Sequence, residues 1–186
     1  MKPIIYSLLI ASIFVLSISC ELEYLNNFNE KGKDKKNQTQ LVTGHLKGNS
    51  ICKNNLMRGD TTVVTPDSLS HVEYSFDNEK KVLTFKHINA GFNCCPDSLY
   101  CKAELKGDTI IIQEYEQGGL CKCNCLYDLE IDVNGVDMKA YQIKFIEPYA
   151  KEQDKLIFGI DLTTDSTGSY HVTRKRYPWG INSLSK

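Results

Sequence analysis

Apolar and polar residues alternate along nearly every segment of this chain beyond residue 40. In 121–133 the odd positions carry cysteine, tyrosine or aliphatic residues, whereas most even positions are polar. Because successive side chains of a β-strand point to opposite faces of its sheet, such a segment has one buried and one solvated face. The other segments with alternating or β-branched sequence are 42–47, 71–76, 82–88, 99–105, 109–115, 141–145, 156–162 and 170–174. About eight to ten short strands between turns predict an all-β fold, an antiparallel β-sandwich or small barrel.

Two turn signals separate predicted strands, and one longer motif favours the sandwich. Gly107-Asp108 separates two alternating segments, and Asn134-Gly135 is a dipeptide typical of β-hairpins. The stretch 131–143 has aliphatic residues, Gly135 and Tyr141 spaced as in the corner common in immunoglobulin-like sandwiches, with Lys139-Ala140 where that corner has glycine. This resemblance implies an immunoglobulin-like β-sandwich.

The first nineteen residues have the pattern of a signal peptide. A short charged head, Met1-Lys2-Pro3, precedes an apolar run at residues 4–18. A membrane-spanning helix needs about 20 apolar residues, and this run ends sooner, at Ser19-Cys20. We therefore predict that residues 1–19 are removed on export.

The junction before Cys20 resembles a bacterial lipobox, in which the cysteine is diacylated and becomes the first residue of the mature chain. The lipobox prefers an aliphatic residue where this chain has Ser17, and Ser17 with Ser19 also fits the ordinary signal peptidase. We predict lipidation at Cys20, with simple secretion as the alternative. Residues 20–40 are rich in Asn, Lys and Glu and are predicted to be a flexible tether. Residues 41–186 are predicted to form a single β-sandwich domain.

The charge balance gives no reason to expect a nucleic-acid partner. The chain has 22 basic and 23 acidic residues. A nearly neutral chain sets up no field that attracts a polyanion.

Cysteine is the residue type that carries the most information about compartment. The chain has eight cysteines, and those beyond Cys20 are Cys52, Cys94, Cys95, Cys101, Cys121, Cys123 and Cys125. In an exported protein such residues oxidise, and an odd number leaves at least one thiol unpaired. Neighbours on one strand face are badly placed to bond each other. We therefore expect Cys121, Cys123 and Cys125 each to bond Cys52, Cys94, Cys95 or Cys101, with the sulfurs in the core.

A thiolate site for Zn(II) or Cu(I) is the alternative reading of the same cysteines. Zinc sites use Cys-x₂₋₄-Cys turns, whereas Cys-x-Cys on a strand separates neighbouring sulfurs by about 6.6 Å. A thioredoxin-type redox centre would need Cys-x-x-Cys at a helix N-terminus, which Cys94-Cys95 does not provide. Disulfides are favoured, and no metal or other cofactor is predicted.

Nothing in the sequence predicts an enzyme. The four histidines, His45, His71, His87 and His171, are scattered and match no hydrolase or metalloprotease motif. We interpret each of them as a surface or edge-strand residue. The basic and aromatic segment 174–180 is interpreted as the end of a last strand followed by a solvated tail, with Trp179 packed on the sandwich.

The runs 92–96 (FNCCP) and 121–129 (CKCNCLYDL), with Tyr177-Pro178-Trp179, resemble uncharacterised envelope lipoproteins of Bacteroidetes. The resemblance covers about residues 85–180 and implies a β-sandwich in the bacterial cell envelope, as an outer-membrane lipoprotein on the periplasmic side or cell surface. It brings no agreed activity. We expect a non-enzymatic binding or structural module, anchored to membrane lipid through Cys20, with an envelope protein or a glycan as partner. The alternative function is a thiolate metal-binding envelope protein.

Overall fold

The computed structural model describes residues 40–53, 66, 68–119 and 121–179. The predicted signal peptide, the Cys20 lipidation site and all but the last residue of the predicted tether lie outside these residues. Within them, no helix has the length and apolar character needed to cross a membrane.

The described residues form an all-β structure, which confirms the predicted fold class. Each predicted segment corresponds to a strand because alternation places one row of side chains in the core. The strands are β1 (Thr43–Asn49), β2 (Leu69–Asp77), β3 (Val82–Asn93), β4 (Ser98–Lys106), β5 (Thr109–Gln117), β6 (Asn124–Asn134), β7 (Ala140–Ile146), β8 (Ile157–Asp161) and β9 (Thr167–Thr173).

The strands form two sheets that pack as a sandwich. One sheet has the order β1-β6-β3-β2-β9 and the other the order β4-β5-β7-β8. Neighbouring strands are antiparallel except β5 and β7, which are parallel. Immunoglobulin constant domains place strands A, B, E and D in one sheet and C, F and G in the other. The likeness to that fold therefore lies in the two layers rather than in the connections.

The two predicted turns have different outcomes. Lys106 pairs with Thr109, so Gly107-Asp108 is a two-residue hairpin turn, and Gly107 has a positive φ of 60°. The hairpin interpretation of Asn134-Gly135 is wrong, because β6 and β7 belong to different sheets. The chain crosses between the layers here. Tyr141 braces the crossing, since its hydroxyl accepts a 3.1 Å hydrogen bond from the backbone N–H of Asp137, as in a tyrosine corner.

The core between the layers is made by the inward-facing row of each strand. Phe85 of β3 meets Phe145 of β7 edge to face, with ring centroids 5.6 Å apart. Such pairs stabilise by about 0.5–1.5 kcal/mol beyond the area they bury. The core also contains completely buried aliphatic residues, which include Val72, Leu83, Ile110, Ile112, Ile131, Val133 and Ile143.

The last described segment folds back onto the sandwich. Trp179 is buried, and its indole N–H donates a 2.7 Å hydrogen bond to the Asn89 carbonyl. Gly91 makes room for the ring, because a Cβ there would lie 2.8 Å from it. The packing predicted for Trp179 is confirmed. Arg174, which ends the predicted last strand, is only 1% exposed, whereas the residues 175–177 that follow it are exposed.

Candidate functional site

Six of the seven cysteines beyond Cys20 form three disulfides. The bonds join Cys52 to Cys125, Cys94 to Cys123 and Cys95 to Cys121, with Cα–Cα distances of 5.7, 5.6 and 5.8 Å. These distances lie within the range found for disulfide bridges. The prediction of disulfides is confirmed, and each cysteine of the Cys-x-Cys-x-Cys run bonds a partner outside it.

The prediction that these sulfurs lie in the core is wrong for two of the three bridges. Strand β6 begins at Asn124 rather than at Cys121, so Cys121 and Cys123 precede the sheet and are exposed, as is Cys95. Only Cys125 of the run is completely buried. Two disulfides therefore lie side by side at an exposed end of the sandwich. The third, between Cys52 and Cys125, reaches into the core.

Asn93 organises the exposed end. Its side-chain amide donates a 2.7 Å hydrogen bond to the Cys121 carbonyl, and its side-chain oxygen accepts from the backbone N–H groups of Cys95 and Cys121 at 3.0 and 3.1 Å. The backbone N–H of Cys94 donates to the Cys123 carbonyl at 3.1 Å. One 4%-exposed amide thus links the two cysteine loops in addition to the sulfur bonds.

A carboxylate and two tyrosines brace this end further. Glu116 accepts from the backbone N–H of Asn93 at 2.7 Å and from the Tyr149 hydroxyl at 2.6 Å. Burial, together with the hydrogen bond to Glu116, raises the pKa of Tyr149 to about 12. The Tyr177 hydroxyl donates to the Asn124 carbonyl at 2.8 Å, which ties the chain end to the start of β6.

Cys101 is the unpaired cysteine of the described chain. Its side chain faces the core from β4 and is 6% exposed. Burial, with a smaller effect from the charge of Glu114, raises the pKa of the Cys101 thiol to about 12. Since the thiolate is the reactive form, Cys101 is a packing residue and not a reagent.

A second cluster of polar groups lies inside the sandwich and was not predicted. His87 Nδ1 is 2.7 Å from Glu114 Oε1, and His87 Nε2 is 2.8 Å from the Ser70 hydroxyl. Arg174 donates to Glu147 Oε2 and to the Asp154 carbonyl. Glu147 Oε1 lies 3.9 Å from His87 Nε2, so the Glu147–Arg174 pair adjoins the group formed by Ser70, His87 and Glu114. We call Ser70, His87, Glu114, Glu147 and Arg174 the buried network.

The interpretation of all four histidines as surface or edge-strand residues is wrong for His87, which is completely buried. Burial alone would lower the pKa of His87. The charge of Glu114 and the hydrogen bond to it, with the charge of Glu147, outweigh burial and the repulsion of Arg174, so the pKa of His87 is raised. Burial raises the pKa of Glu147, against the attraction of His87 and Arg174. The network therefore favours a protonated imidazole inside the core.

The alternation pattern contained a signal for this network. Each of its members continues the inward-facing row of its own segment: Ser70 with Val72, His87 with Phe85, Glu114 with Ile112, Glu147 with Phe145, and Arg174 with Val172. A polar residue at an inward position is rare unless it is paired. Strands β2, β3, β5, β7 and β9 and the residues just beyond their ends thus bring five polar groups together between the layers.

The hydrogen-bonded order Ser70, His87, Glu114 is the order of groups in a serine hydrolase site. Such chemistry needs a hydroxyl that touches the substrate. Ser70 and His87 are each completely buried and Glu114 is 3% exposed. Among the described residues, Glu114 Oε2, Glu147 Oε1 and Arg174 Nε have no hydrogen-bond partner. The arrangement holds charge in the core and offers no nucleophile at the surface.

The stability of the domain should depend on the protonation of His87. A raised folded-state pKa gives stability that is fully present below the unfolded value of 6.5 and is lost as pH rises through the folded value. We expect the midpoint of thermal unfolding to fall as pH rises above 6.5. His87→Gln should flatten that dependence, whereas His45→Gln, at an exposed position, should keep it. An equal slope in wild type and His87→Gln would contradict this account.

An open depression lies on the outer face of the second sheet. It has a volume of about 540 Å³ and is lined by Asp108, Thr109, Ala140, Tyr141, Gln142, Gly159, Ile160 and Asp161. Gly159 leaves space there, since a Cβ would meet no atom within 4 Å. Tyr100 and Tyr115 stack on the same sheet with centroids 4.9 Å apart. Trp179 is buried elsewhere, so these aromatic residues do not form one continuous row with it.

The chain matches no protein-family model, no curated protein and no solved structure.

Proposed function

We propose that this chain is a lipid-anchored protein of the bacterial cell envelope whose sandwich is a non-enzymatic binding or structural module. The observation that supports the proposal most strongly is the pairing of six cysteines within one small domain. Disulfides persist in exported proteins and are rare where cytosolic reductants keep thiols reduced. The signal-peptide pattern of residues 1–19 leads to the same compartment.

Cys20 is the proposed anchor. Acyl chains gain about 0.8 kcal/mol for each buried CH₂, so two or more chains hold a protein on a membrane without a spanning helix. The first strand begins at Thr43. A flexible tether of about 20 residues spans roughly 25 Å, which is enough to lift the sandwich clear of the lipid headgroups.

The interior of the domain supports a non-enzymatic role. The only histidine hydrogen-bonded to a serine among the described residues is His87, and this pair is sealed in the core. The depression beside Gln142 and Gly159 is the proposed place for a polar partner, an envelope protein or a glycan. Carboxylates and an amide at its rim would bind hydroxyl or amide groups.

Metabolic labelling with a clickable palmitate tests the anchor. We expect the wild-type protein to be labelled and to partition with the membrane fraction, and Cys20→Ser to lose both properties. Cys101→Ser is the matched control, because it removes a different thiol and should keep the label. A wild-type protein without label, or a label that persists in Cys20→Ser, would overturn the anchor.

A fluorophosphonate probe, which phosphonylates activated serine hydroxyls with loss of fluoride, tests the non-enzymatic role. We expect no labelling of the folded mature protein. Labelling that disappears in Ser70→Ala, with the fold retained by circular dichroism, would show that the buried network reaches solvent and acts as a hydrolase site.

A further inference from the structure

Two disulfides at the exposed end place four sulfurs in one small volume. The Sγ atoms of Cys94, Cys95 and Cys123 all lie within 4.8 Å of one another, although Cys94 and Cys123 form one bond and Cys95 belongs to the other. The fourth sulfur, of Cys121, is bonded to that of Cys95. In a tetrahedral zinc site with Zn–S distances near 2.3 Å, neighbouring sulfurs lie roughly 3.8 Å apart. Three of the four sulfurs are therefore close enough together to contact one ion once the bridges are open, and the fourth is bonded to one of them.

The backbone that carries these sulfurs is held by contacts other than the bridges. The amide of Asn93 makes hydrogen bonds to Cys95 and Cys121, and the backbone N–H of Cys94 donates to the Cys123 carbonyl. Just beyond, β3 and β6 pair through Phe92 with Cys125 and Asn93 with Asn124. Breaking the two exposed bridges would therefore leave the four thiols close together.

Exposure separates this pair of bridges from the third. Cys95, Cys121 and Cys123 are exposed, whereas Cys125 is completely buried and its partner Cys52 is half-buried. Exposed disulfides are the ones that external thiols attack, because exchange requires contact between the attacking thiolate and a sulfur. A reductant would thus open the two exposed bridges before it reached the interior one.

We propose that Cys94, Cys95, Cys121 and Cys123 form a redox-gated site that binds one thiophilic cation, Zn(II) or Cu(I), when reduced. Each bridge takes two electrons and two protons from one dithiol, which leaves as a disulfide, so two dithiols yield four thiols. Binding of the cation releases thiol protons as the sulfurs become thiolates. The exposed Lys122, between two of the ligands, offsets part of the negative charge of the cluster. A small-molecule disulfide reverses the reaction: the two thiolates of each bridge pass two electrons to it, it takes up two protons and leaves as a dithiol, and the ion is released.

This site extends the proposed function and does not depend on the lipid anchor. The sequence alone left disulfides and a thiolate metal site as alternatives for the same residues. Their placement makes the two states interconvertible, because the same four sulfurs serve both.

The test is zinc titration of the mature protein against a chromophoric chelator, before and after reduction with a phosphine that is then removed. All samples carry Cys20→Ser, which removes the N-terminal thiol. We expect the oxidised protein to bind no zinc tightly and the reduced protein to bind one ion per chain. Cys95→Ser with Cys121→Ser should weaken binding by at least about 100-fold, since removing ligands costs more than removing the groups that orient them.

Two controls identify the site. Cys52→Ala with Cys125→Ala, and separately Cys101→Ser, should leave the affinity of the reduced protein unchanged. If reduction unfolds the chain, zinc should restore the β-sheet circular dichroism signal, because binding would then be coupled to folding. The proposal is overturned if reduced protein, folded or unfolded, binds no zinc tightly, or if the Cys95→Ser and Cys121→Ser protein binds as the parent does.

Discussion

Replacing Arg174 by methionine should lower the free energy of unfolding by about 3–5 kcal/mol. The guanidinium donates to Glu147 and to the Asp154 carbonyl, and it lies over the Trp179 ring at 4.9 Å. Methionine fills much of the same volume but removes the guanidinium that donates to Glu147, whose side chain is 1% exposed. Removing one partner of a buried ion pair causes a loss of this size. Equilibrium unfolding in urea at pH 7 measures it.

The controls separate charge from packing. Arg174→Met combined with Glu147→Met replaces both partners by apolar groups and should recover much of the loss. Lys47→Met removes an exposed partner of Glu130 and should leave the urea midpoint nearly unchanged. If Arg174→Met and Lys47→Met unfolded at the same urea concentration, the buried network would not contribute to stability as described.

Removing the interior disulfide should have a comparable effect. Cys52 and Cys125 are 73 residues apart in sequence, and their bond ties the segment after β1 to β6. Closing a loop of that length stabilises the folded state by about 4 kcal/mol, mainly by restricting the unfolded chain. Cys52→Ala with Cys125→Ala should therefore lower the free energy of unfolding by about that amount in urea.

Cys101→Ala is the matched control for the loss of sulfur volume. It removes a buried thiol that forms no bond, so its cost should be about 1 kcal/mol. Equal losses in the single and the double variant would mean that packing of the sulfur atoms, and not the covalent link, explains the effect.

The strands could be predicted because a two-residue period is imposed by the pleated backbone itself. Segments such as 109–115 and 141–145 correspond to β5 and β7 for this reason. The connection after β6 could not be predicted, because Asn134-Gly135 turns the chain equally well within one sheet or between two. Which of these occurs depends on the long-range partners of β7, namely β5 and β8.

The buried network was missed although its positions follow the alternation. Charged residues are usually interpreted as solvated. Glu114, near the end of an isoleucine-rich strand, and Arg174, in a basic segment, therefore do not indicate a buried cluster when each is considered alone. Their burial is indicated only by their spacing: Glu114 lies two residues after the buried Ile112, and Arg174 two residues after the buried Val172, so each faces the core. Pairing between distant strands, which sequence spacing does not encode, then decides that the five groups meet.

The disulfide-linked end was predicted in part. The cysteines of the Cys-x-Cys-x-Cys run do bond partners outside it. The predicted strand, however, begins at Cys121, three residues before the observed start of β6 at Asn124. Asn93 holds the Cys121 backbone with its side chain, and the ladder between β3 and β6 stops at the pairing of Asn93 with Asn124. A polar side chain that replaces a strand partner leaves no periodic pattern in the sequence. The exposure of Cys121 and Cys123 could therefore be seen only in the structure.

The central claim is that three specific disulfides close this sandwich and leave Cys101 as a buried free thiol. The most direct measurement is mass spectrometry of peptides from the mature protein, alkylated under acidic denaturing conditions without reductant. The account predicts Cys52 linked to Cys125, Cys94 to Cys123, Cys95 to Cys121, and alkylated Cys101. Cleavage after Lys122 separates Cys121 from Cys123, and fragmentation of the linked peptides between Cys94 and Cys95 and between Cys123 and Cys125 assigns each bond. A disulfide that contains Cys101, or alkylation of the six other cysteines, would contradict it.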